Sequence, residues 1–390
     1  MSFLEKIADK LRGGKSVRVS SEALTEALVK EAVAQVIAPG LDQDIVSLGF
    51  IKKINIVAKE VSLFVEPRAS VFPSNDALAQ QIEAEVGGLP QVSAVKVHFT
   101  SNSKSNPPKS KSEPSHSLGS VRNIVAIASG KGGVGKSTSA VNLAYCLVSL
   151  GAKVGIMDAD IYGPSIPKMT GAYDPSELQG NLVVPPIING VKVVSFAMFS
   201  RERKANIMRG PMTAQIIKQF VSQVAWGELD YLLIDYPPGT GDIQLSLSQL
   251  VPITAAVIVT TPQEVALIDV RKAIEMFKVT NVPILGVLET MSYFICDDCE
   301  KKHVIFGAGG ADKLSAEEGL RVLGRIPVEQ AVSQSSDSGE PLIRYSPGSK
   351  SALAYSESAG KLASQLSILS SNNPGEKQGF NLSWGSRDGG

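Results

Sequence analysis

The chain has 390 residues, and its 38 Lys and Arg residues balance 38 Asp and Glu residues, so its formal net charge at pH 7 is zero. This balance excludes a general electrostatic attraction to nucleic acid or to an anionic membrane, and three cysteines are too few for a disulfide framework. The longest apolar runs, such as residues 255–259, are far shorter than the roughly 20 residues of a membrane span. We therefore expect a protein of two domains, without a membrane span, in the reducing cytoplasm.

Residues 1–100 predict a small α+β domain. Apolar residues at helical spacing predict helices over 21–36 and 75–86, and strand-like patterns cover 51–57, 60–65 and 94–99. No combination of residues typical of catalysis stands out in this domain.

Residues 101–120 separate this domain from the rest of the chain. The segment contains eight Ser, three Pro and three Lys residues, and its only branched apolar residue is Leu118. It buries too little apolar surface to offset the entropy cost of ordering, which predicts a flexible linker. The same reasoning predicts a disordered tail over 370–390.

Strands and helices alternate after the linker. Apolar strands are predicted over 121–127, 153–157, 191–195, 231–234, 255–260 and 284–288, separated by helical segments such as 136–150, 213–224 and 264–277. This alternation predicts an α/β domain over 121–369 with a mainly parallel sheet flanked by helices. Ligands of such sheets bind at the carboxyl ends of the strands, so functional residues are expected on the loops that follow strands.

The first of these loops contains the segment GKGGVGKS, which fits the P-loop pattern G-x-x-x-x-G-K-[ST] between a strand and a helix. Its glycines allow backbone N–H groups to converge on phosphate oxygens at a helix N-terminus. Lys136 is expected to reach the β- and γ-phosphates of ATP, and the Ser137 hydroxyl to bind Mg²⁺. The predicted nucleotide-binding residues are Gly130, Lys131, Gly132, Gly133, Val134, Gly135, Lys136, Ser137, Thr138 and Gly239.

Carboxylates follow two further predicted strands. Asp235 ends the strand at 231–234, a position from which a carboxylate can hold Mg²⁺, usually through water. The turn after it is predicted to move, with the Gly239 amide sensing the γ-phosphate. Asp158 and Asp160 end another strand, so either can orient the attacking water, while a buried Asp158 that only caps a helix is an equal alternative.

Together these motifs resemble one family of P-loop proteins. The segments GKGGVGKST, DADIYGPSIP, RGPM, IDYPPGTGD and TTPQEVAL resemble those of the Mrp family of iron–sulfur cluster carrier ATPases, in the MinD and ParA class with a deviant Walker A motif. The resemblance covers residues 120–368 and implies a homodimeric ATPase that passes a cluster to apo iron–sulfur proteins. It also implies that Lys131 reaches the nucleotide across the dimer interface and that Asp160 orients the water. Lys131, Lys136 and Asp160 are therefore the expected catalytic residues.

The N-terminal unit resembles the small domain of iron–sulfur assembly factors that precedes many Mrp ATPases. Residues 44–49 read DIVSLG, a signature of that domain. Two positions depart from the pattern, because residues 38–40 read Ala-Pro-Gly instead of DPE, and Phe72-Pro73 replaces Cys-Pro. These departures argue against a thiol-based role and leave a docking or regulatory role for this domain.

Cys296 and Cys299 form a C-x-x-C pair after the strand at 284–288. A closed zinc site or a [4Fe-4S] cluster needs four ligands, and a symmetric dimer supplies them from two such pairs. From the residues alone, zinc with His303 as a third ligand remains an alternative, whereas a redox dithiol is disfavoured because the pair does not open a helix in a thioredoxin-like unit. The resemblance implies a cluster that bridges two copies. Cys146, within the helix after the P-loop, is expected to be a buried apolar residue.

Position 290 departs from the family pattern, which reads ENMS where residues 289–292 read ETMS. The asparagine of related P-loop proteins often contacts adenine. Thr290 offers a single hydroxyl instead, which predicts looser base selectivity, with ATP still the expected nucleotide.

Two rival functions are weighed against a cluster carrier. One is a ParA- or MinD-type switch that positions cargo on a membrane or on DNA, which the tail disfavours because it supplies neither an amphipathic anchor nor a basic surface. The other is a zinc-stabilised dimeric adaptor that binds nucleotide. A measurement of metal content distinguishes the adaptor from the carrier. A test of ATP-dependent binding to liposomes or DNA distinguishes the switch from both.

Overall fold

The computed structural model describes residues 24–38, 44–66, 75–99, 118–161, 163–173, 177–179, 182–198, 210–296 and 298–372. Most of the predicted linker and of the predicted tail lies outside the described residues, as do Phe72, Pro73 and Arg209. Within the described ranges, no helix combines the length and the apolar character that crossing a membrane requires.

The N-terminal unit consists of a three-stranded sheet and two helices. Helix α1 (Glu26–Val33) begins after Thr25, whose hydroxyl accepts a hydrogen bond from the Leu28 N–H at 3.3 Å. Strands β1 (Ile51–Val57) and β2 (Glu60–Val65) are antiparallel, and after helix α2 (Asn75–Gly87) strand β3 (Ala94–Phe99) pairs parallel to β2. Fully buried side chains on both helices and on β2 form one apolar core, which confirms the predicted α+β class of this unit.

The strands of the larger unit are β4 (Val121–Ala128), β5 (Val154–Asp158), β6 (Glu177–Gln179), β7 (Leu182–Val184), β8 (Ile187–Ile188), β9 (Val191–Ser195), β10 (Leu229–Asp235), β11 (Ala255–Thr260), β12 (Ile284–Glu289), β13 (Phe294–Ile295), β14 (Lys302–His303) and β15 (Val322–Arg325). Eight of them form one sheet in the order β15-β12-β11-β4-β10-β5-β9-β8. All neighbouring pairs in it are parallel except β8 with β9. The predicted mainly parallel sheet is confirmed.

Helices cover both faces of this sheet. They are α3 (Lys136–Ser149), α4 (Ile166–Thr170), α5 (Gly210–Gln223), α6 (Asp242–Leu250), α7 (Glu264–Val279), α8 (Gly310–Glu318), α9 (Gln330–Ser338), α10 (Leu342–Tyr345) and α11 (Lys350–Asn372). Buried residues of α3 and α11 pack on one face, and those of α5, α6, α7 and α8 on the other. Strand β4 contributes side chains to the cores on both faces. Val125 and Ile127 pack on the side of α3 and α11, and Ile124 and Ala126 pack on the opposite side.

The strand order places a ligand crevice at β4. From β4 the chain runs through β5 and β9 on one side, returns to β10, and then crosses to β11 on the other side of β4. Such a reversal opens a crevice at the carboxyl ends of the strands, where open α/β sheets bind ligands. The loops after β4, β5, β10, β11 and β12 all meet at this edge, because these strands are parallel.

Candidate functional site

The P-loop joins β4 to α3 at this edge. Gly135 is the N-terminal cap of α3 in a left-handed conformation (φ 79°), and Gly133 has the same φ. No side chain caps the helix, so its first amide N–H groups are free of a side-chain acceptor and suited to an anion. Lys131 is half-buried, and Gly132 and Gly133 beside it are exposed.

The start of the P-loop lies against the backbone of α7. A Cβ atom on Gly130 would lie 2.3 Å from the carbonyl carbon of Asp269 and 2.4 Å from the Val270 nitrogen. Any side chain at position 130 therefore displaces either the loop or the helix. A Cβ atom on Gly132 meets nothing within 4 Å, so packing requires a glycine at position 130 but not at position 132.

Lys136, Ser137 and Asp235 form a hydrogen-bonded group at the centre of the site. The Lys136 ammonium donates to Asp235 Oδ1 at 2.6 Å, and the Ser137 hydroxyl donates to Asp235 Oδ2 at 2.6 Å. Asp235 has no solvent exposure, and the side chain of Lys136 is 6% exposed. Strand β10 places the carboxylate opposite the first turn of α3, as the sequence predicts.

Two further carboxylates lie beside this group. Asp158 is the register partner of Asp235 on the neighbouring strand β5, and it accepts hydrogen bonds from the Ser195 hydroxyl at 2.8 Å and from the Asp160 N–H at 3.1 Å. Asp160 is more exposed, and its Oδ2 lies 3.8 Å from the Lys136 ammonium. Both Asp158 oxygens thus accept hydrogen bonds from protein donors, which disfavours a role in orienting water, but these donors lie on β9 and in the loop after β5, so the predicted helix cap is not formed either.

The electrostatics of the site are set by burial. Burial raises the pKa of Asp158 well above its usual range, the nearby Asp235 charge raises it further, and the Ser195 hydrogen bond opposes both. Burial also raises the pKa of Asp235, against the opposing effect of the Lys136 ammonium. Three carboxyl groups thus lie near one ammonium group, and carboxyl oxygens are the ligand type that a hard divalent cation such as Mg²⁺ prefers.

The turn after β10 contacts the P-loop directly. The Gly239 N–H donates to the Ser129 carbonyl at 3.2 Å, and Gly239 has a φ of 93° that favours glycine. The Gln244 amide, from α6, donates to the Pro238 carbonyl at 2.6 Å and holds the turn. The predicted contact of Gly239 with a γ-phosphate therefore requires this amide to leave Ser129.

The two cysteines lie at the tip of a hairpin that the sequence did not predict. Strands β13 and β14 pair antiparallel, the Cys296 N–H donates to the Lys301 carbonyl at 3.1 Å, and the Glu300 N–H donates to the Cys296 carbonyl at 2.9 Å. Cys296 is half-buried and Cys299 is exposed. The hairpin turn therefore presents both thiols near the surface. Two-residue strands are too short to leave a periodic signal.

Within the part of the chain that the structure describes, no third metal ligand joins this pair. Among the described residues, no three His, Cys, Asp or Glu side chains are grouped to hold a metal ion, so His303 does not complete a three-ligand site with the two thiols. Cys146 is buried in α3, as predicted, with its sulfur 3.6 Å from the Ser356 hydroxyl, and burial raises the pKa of its thiol to about 11. The hairpin thus offers two near-surface thiols as possible metal ligands.

An exposed apolar segment follows the hairpin. Val304 is 52% exposed, Ile305 59% and Phe306 38%. Contiguous exposed apolar residues are typical of an interaction surface. We refer to residues 304–306 as the apolar segment.

Comparison with known families agrees with this geometry. The model of the NUBPL iron-transfer P-loop NTPase family matches residues 120–363, which is more than half of the chain. The chain belongs to this family. A second model, of an iron–sulfur cluster assembly protein, matches residues 26–99. The resemblance seen in the motifs is confirmed for both units, and the chain is a P-loop NTPase.

Individual relatives of this NTPase family extend the comparison. The chain is 41% identical over 352 residues to the iron–sulfur cluster carrier protein of Synechocystis sp., covering 88% of this chain and 99% of the relative. It is 45% identical over 261 residues to the protein of the same name from Escherichia coli K12, covering 66% and 71%. A solved nucleotide-binding protein from Archaeoglobus fulgidus, in complex with ADP, is 38% identical with a TM-score of 0.53, covering 58% of this chain and 89% of that one.

Proposed function

We propose that the chain is an ATP-hydrolysing carrier that binds a [4Fe-4S] cluster between two copies of itself and transfers it to apo iron–sulfur proteins. The observation that carries the proposal is the thiol pair of the hairpin, which lies near the surface. The hairpin follows strand β12, and the residue after that strand, Thr290, contacts the P-loop. One unit thus combines a phosphate-binding loop with half a cluster site. The relatives named iron–sulfur cluster carrier proteins support this cargo.

The P-loop residues would bind and hydrolyse ATP. The uncapped N–H groups of α3 suit the phosphate oxygens, and Lys136 compensates the charge that develops on the β- and γ-phosphates. Water attacks the γ-phosphorus and the bond to the bridging oxygen breaks, with Asp160 orienting the water. The family resemblance gives Lys131 the task of reaching the nucleotide of the second copy.

The donor set beside the P-loop fits Mg²⁺. The Ser137 hydroxyl and the Asp235 carboxylate are oxygen ligands 2.6 Å apart, and both belong to the buried group around Lys136. When bound, Mg²⁺ supplies charge neutralisation for the phosphates. The Ser137 hydroxyl would ligate Mg²⁺ through an oxygen lone pair, which leaves its O–H free to keep donating to Asp235.

A homodimer would complete the cluster site. One chain supplies Cys296 and Cys299, and a [4Fe-4S] cluster takes four thiolates, so two hairpins related by a two-fold axis are required. The apolar segment lies next to each hairpin and gains stability when a second copy covers it. Apo iron–sulfur proteins are the expected recipients of the cluster.

Anaerobic reconstitution with iron and sulfide tests this proposal. We expect about two irons and two acid-labile sulfides per chain, a visible charge-transfer absorption, and the mass of a dimer. The double variant Cys296→Ser and Cys299→Ser should lose the iron and sulfide, the absorption and the dimer. Cys146→Ser, which removes the buried thiol, should keep all of these.

Three results would contradict the proposal. The first is a wild-type protein that binds zinc but no cluster, which favours the adaptor. The second is cluster binding that survives the loss of both hairpin thiols. ATP-dependent sedimentation with liposomes or DNA in the absence of cluster binding would instead favour a positioning switch.

A further inference from the structure

Thr290 connects the P-loop to the segment that leads to the cysteine hairpin. It follows the last residue of β12 and is 4% exposed. Its hydroxyl lies 2.6 Å from the Val134 carbonyl in the P-loop and 3.0 Å from the Thr260 carbonyl at the end of β11. The hydroxyl has a single proton, which goes to the closer Val134 oxygen, while the Thr260 carbonyl accepts the Thr290 N–H at 2.8 Å.

This hydrogen bond orients an amide of the P-loop. In a trans peptide the C=O and the following N–H point in opposite directions. Because Thr290 holds the Val134 carbonyl from the β12 side, the N–H of Gly135 is directed away from Thr290. The Thr290 methyl group also lies close to Gly135, 3.6 Å from where a Cβ atom would stand, so both groups of this side chain contact the loop.

Hydrogen bonds hold several of the residues between Thr290 and the first cysteine. Ser292 donates its N–H to the Ile326 carbonyl at 3.0 Å and its hydroxyl to Glu289 at 2.5 Å. The Tyr293 carbonyl accepts the Val328 N–H at 2.7 Å, and Phe294 begins the hairpin. Met291, between these contacts, has a left-handed φ of 50°, which a non-glycine residue adopts at an energetic cost. A displacement at Thr290 therefore passes into a short, fixed segment.

We infer that Thr290 is a positioning residue that couples the nucleotide site to the thiol pair, through the hydrogen bond of its hydroxyl to the Val134 carbonyl. The inference rests on the proposed function, because it explains how ATP changes the cluster site. A ligand that moves the P-loop changes the Val134 contact, and the rigid segment transmits this change to Cys296 and Cys299. Coupling of this kind is reciprocal. If nucleotide changes the affinity of the thiols for a ligand by some factor, that ligand changes the affinity for nucleotide by the same factor.

The test uses cluster-free, anaerobic full-length protein. Alkylation of Cys296 and Cys299 by iodoacetamide is followed by peptide mass spectrometry, with and without a saturating concentration of an Mg·ATP analogue. In wild type we expect the nucleotide to change the alkylation rate several-fold. Thr290→Val keeps the side-chain shape and removes the hydroxyl, so it should weaken nucleotide binding about three- to tenfold and abolish the nucleotide effect on the thiols at saturation. Thr290→Ser restores the hydroxyl and should restore the effect.

A matched control is Thr280→Val, which removes a half-buried hydroxyl at the far end of α7 and should behave as wild type. If Thr290→Val keeps the full nucleotide effect, or Thr290→Ser loses it, the role of Thr290 is overturned. If wild type itself has no nucleotide effect on its thiols, coupling between the sites is overturned. Failure of the proposed function is seen separately, as absence of cluster binding after reconstitution.

Discussion

The ammonium group of Lys136 lies 2.6 Å from Oδ1 of Asp235, and the two side chains come from opposite sides of the P-loop site. Lys136 begins α3 and Asp235 ends β10, so the contact joins the phosphate-binding helix to the neighbouring strand. Both are almost completely buried, which makes the interaction stronger than a surface ion pair and makes the loss of either partner costly.

Asp235→Asn should separate nucleotide binding from hydrolysis. The amide keeps the volume of the carboxylate but removes the charge that suits Mg²⁺, so we expect a fall in phosphate release of about 100-fold or more, with ADP binding largely retained. A phosphate-release assay over a Mg²⁺ titration measures the effect. The exposed Asp337→Asn is the control, and hydrolysis at the wild-type rate in D235N would exclude the proposed role.

Asp158 should make stability depend on pH. Its pKa is raised in the folded protein, so the native state binds more protons than the unfolded state. The free energy of unfolding therefore falls as pH rises from about 4 toward the raised pKa. The slope is at most about 1.4 kcal/mol per pH unit. Asp158→Asn removes this contribution and can keep both neighbouring hydrogen bonds. Denaturant unfolding should show that D158N exceeds wild type in its free energy of unfolding at pH 8, and that this difference is smaller at pH 5. An equal difference at both values would contradict the assigned shift.

Gly130→Ala and Gly132→Ala form a matched pair. The first places a methyl group within 2.4 Å of the α7 backbone, and the second places it in open space. We expect G130A to lower stability by about 1–3 kcal/mol and to weaken nucleotide binding, whereas G132A should keep wild-type stability. Thermal unfolding and nucleotide titration give both quantities. Equal stability of the two variants would show that the loop does not pack on α7.

Ile305→Asp should disrupt the proposed dimer without unfolding the monomer. Ile305 is 59% exposed in the chain alone, so its replacement costs little core packing but places a charge in the interface beside the hairpins. Light scattering of the reconstituted protein should show a monomer, together with loss of the cluster. Val57→Asp, at a 72% exposed apolar position on β1, should leave the dimer intact. A stable, cluster-bound I305D dimer would exclude this surface.

The sequence predicts those parts of the molecule whose residues repeat with a period or match a motif. The buried strands β10 and β11 were found within two residues of their bounds, because parallel strands covered on both faces are continuously apolar. The P-loop and Asp235 were found because the motif and the strand end fix their positions. The contacts of Ser195 and Thr290 could not be predicted, since they depend on which strands are neighbours, and strand order leaves no local pattern. The available signals were the place of Ser195 at a strand end and the departure of Thr290 from the family pattern, and neither indicates the partner of the side chain.

The large sheet ends in very short strands. Within the part of the chain that the structure describes, β8 at one edge has two residues and β15 at the other has four. Such edges offer few unpaired backbone groups, so a second polypeptide finds little to extend by strand addition. The short edge strands thus protect the open sheet from fibrous aggregation. Folded chains can then associate only through side-chain surfaces elsewhere on the molecule.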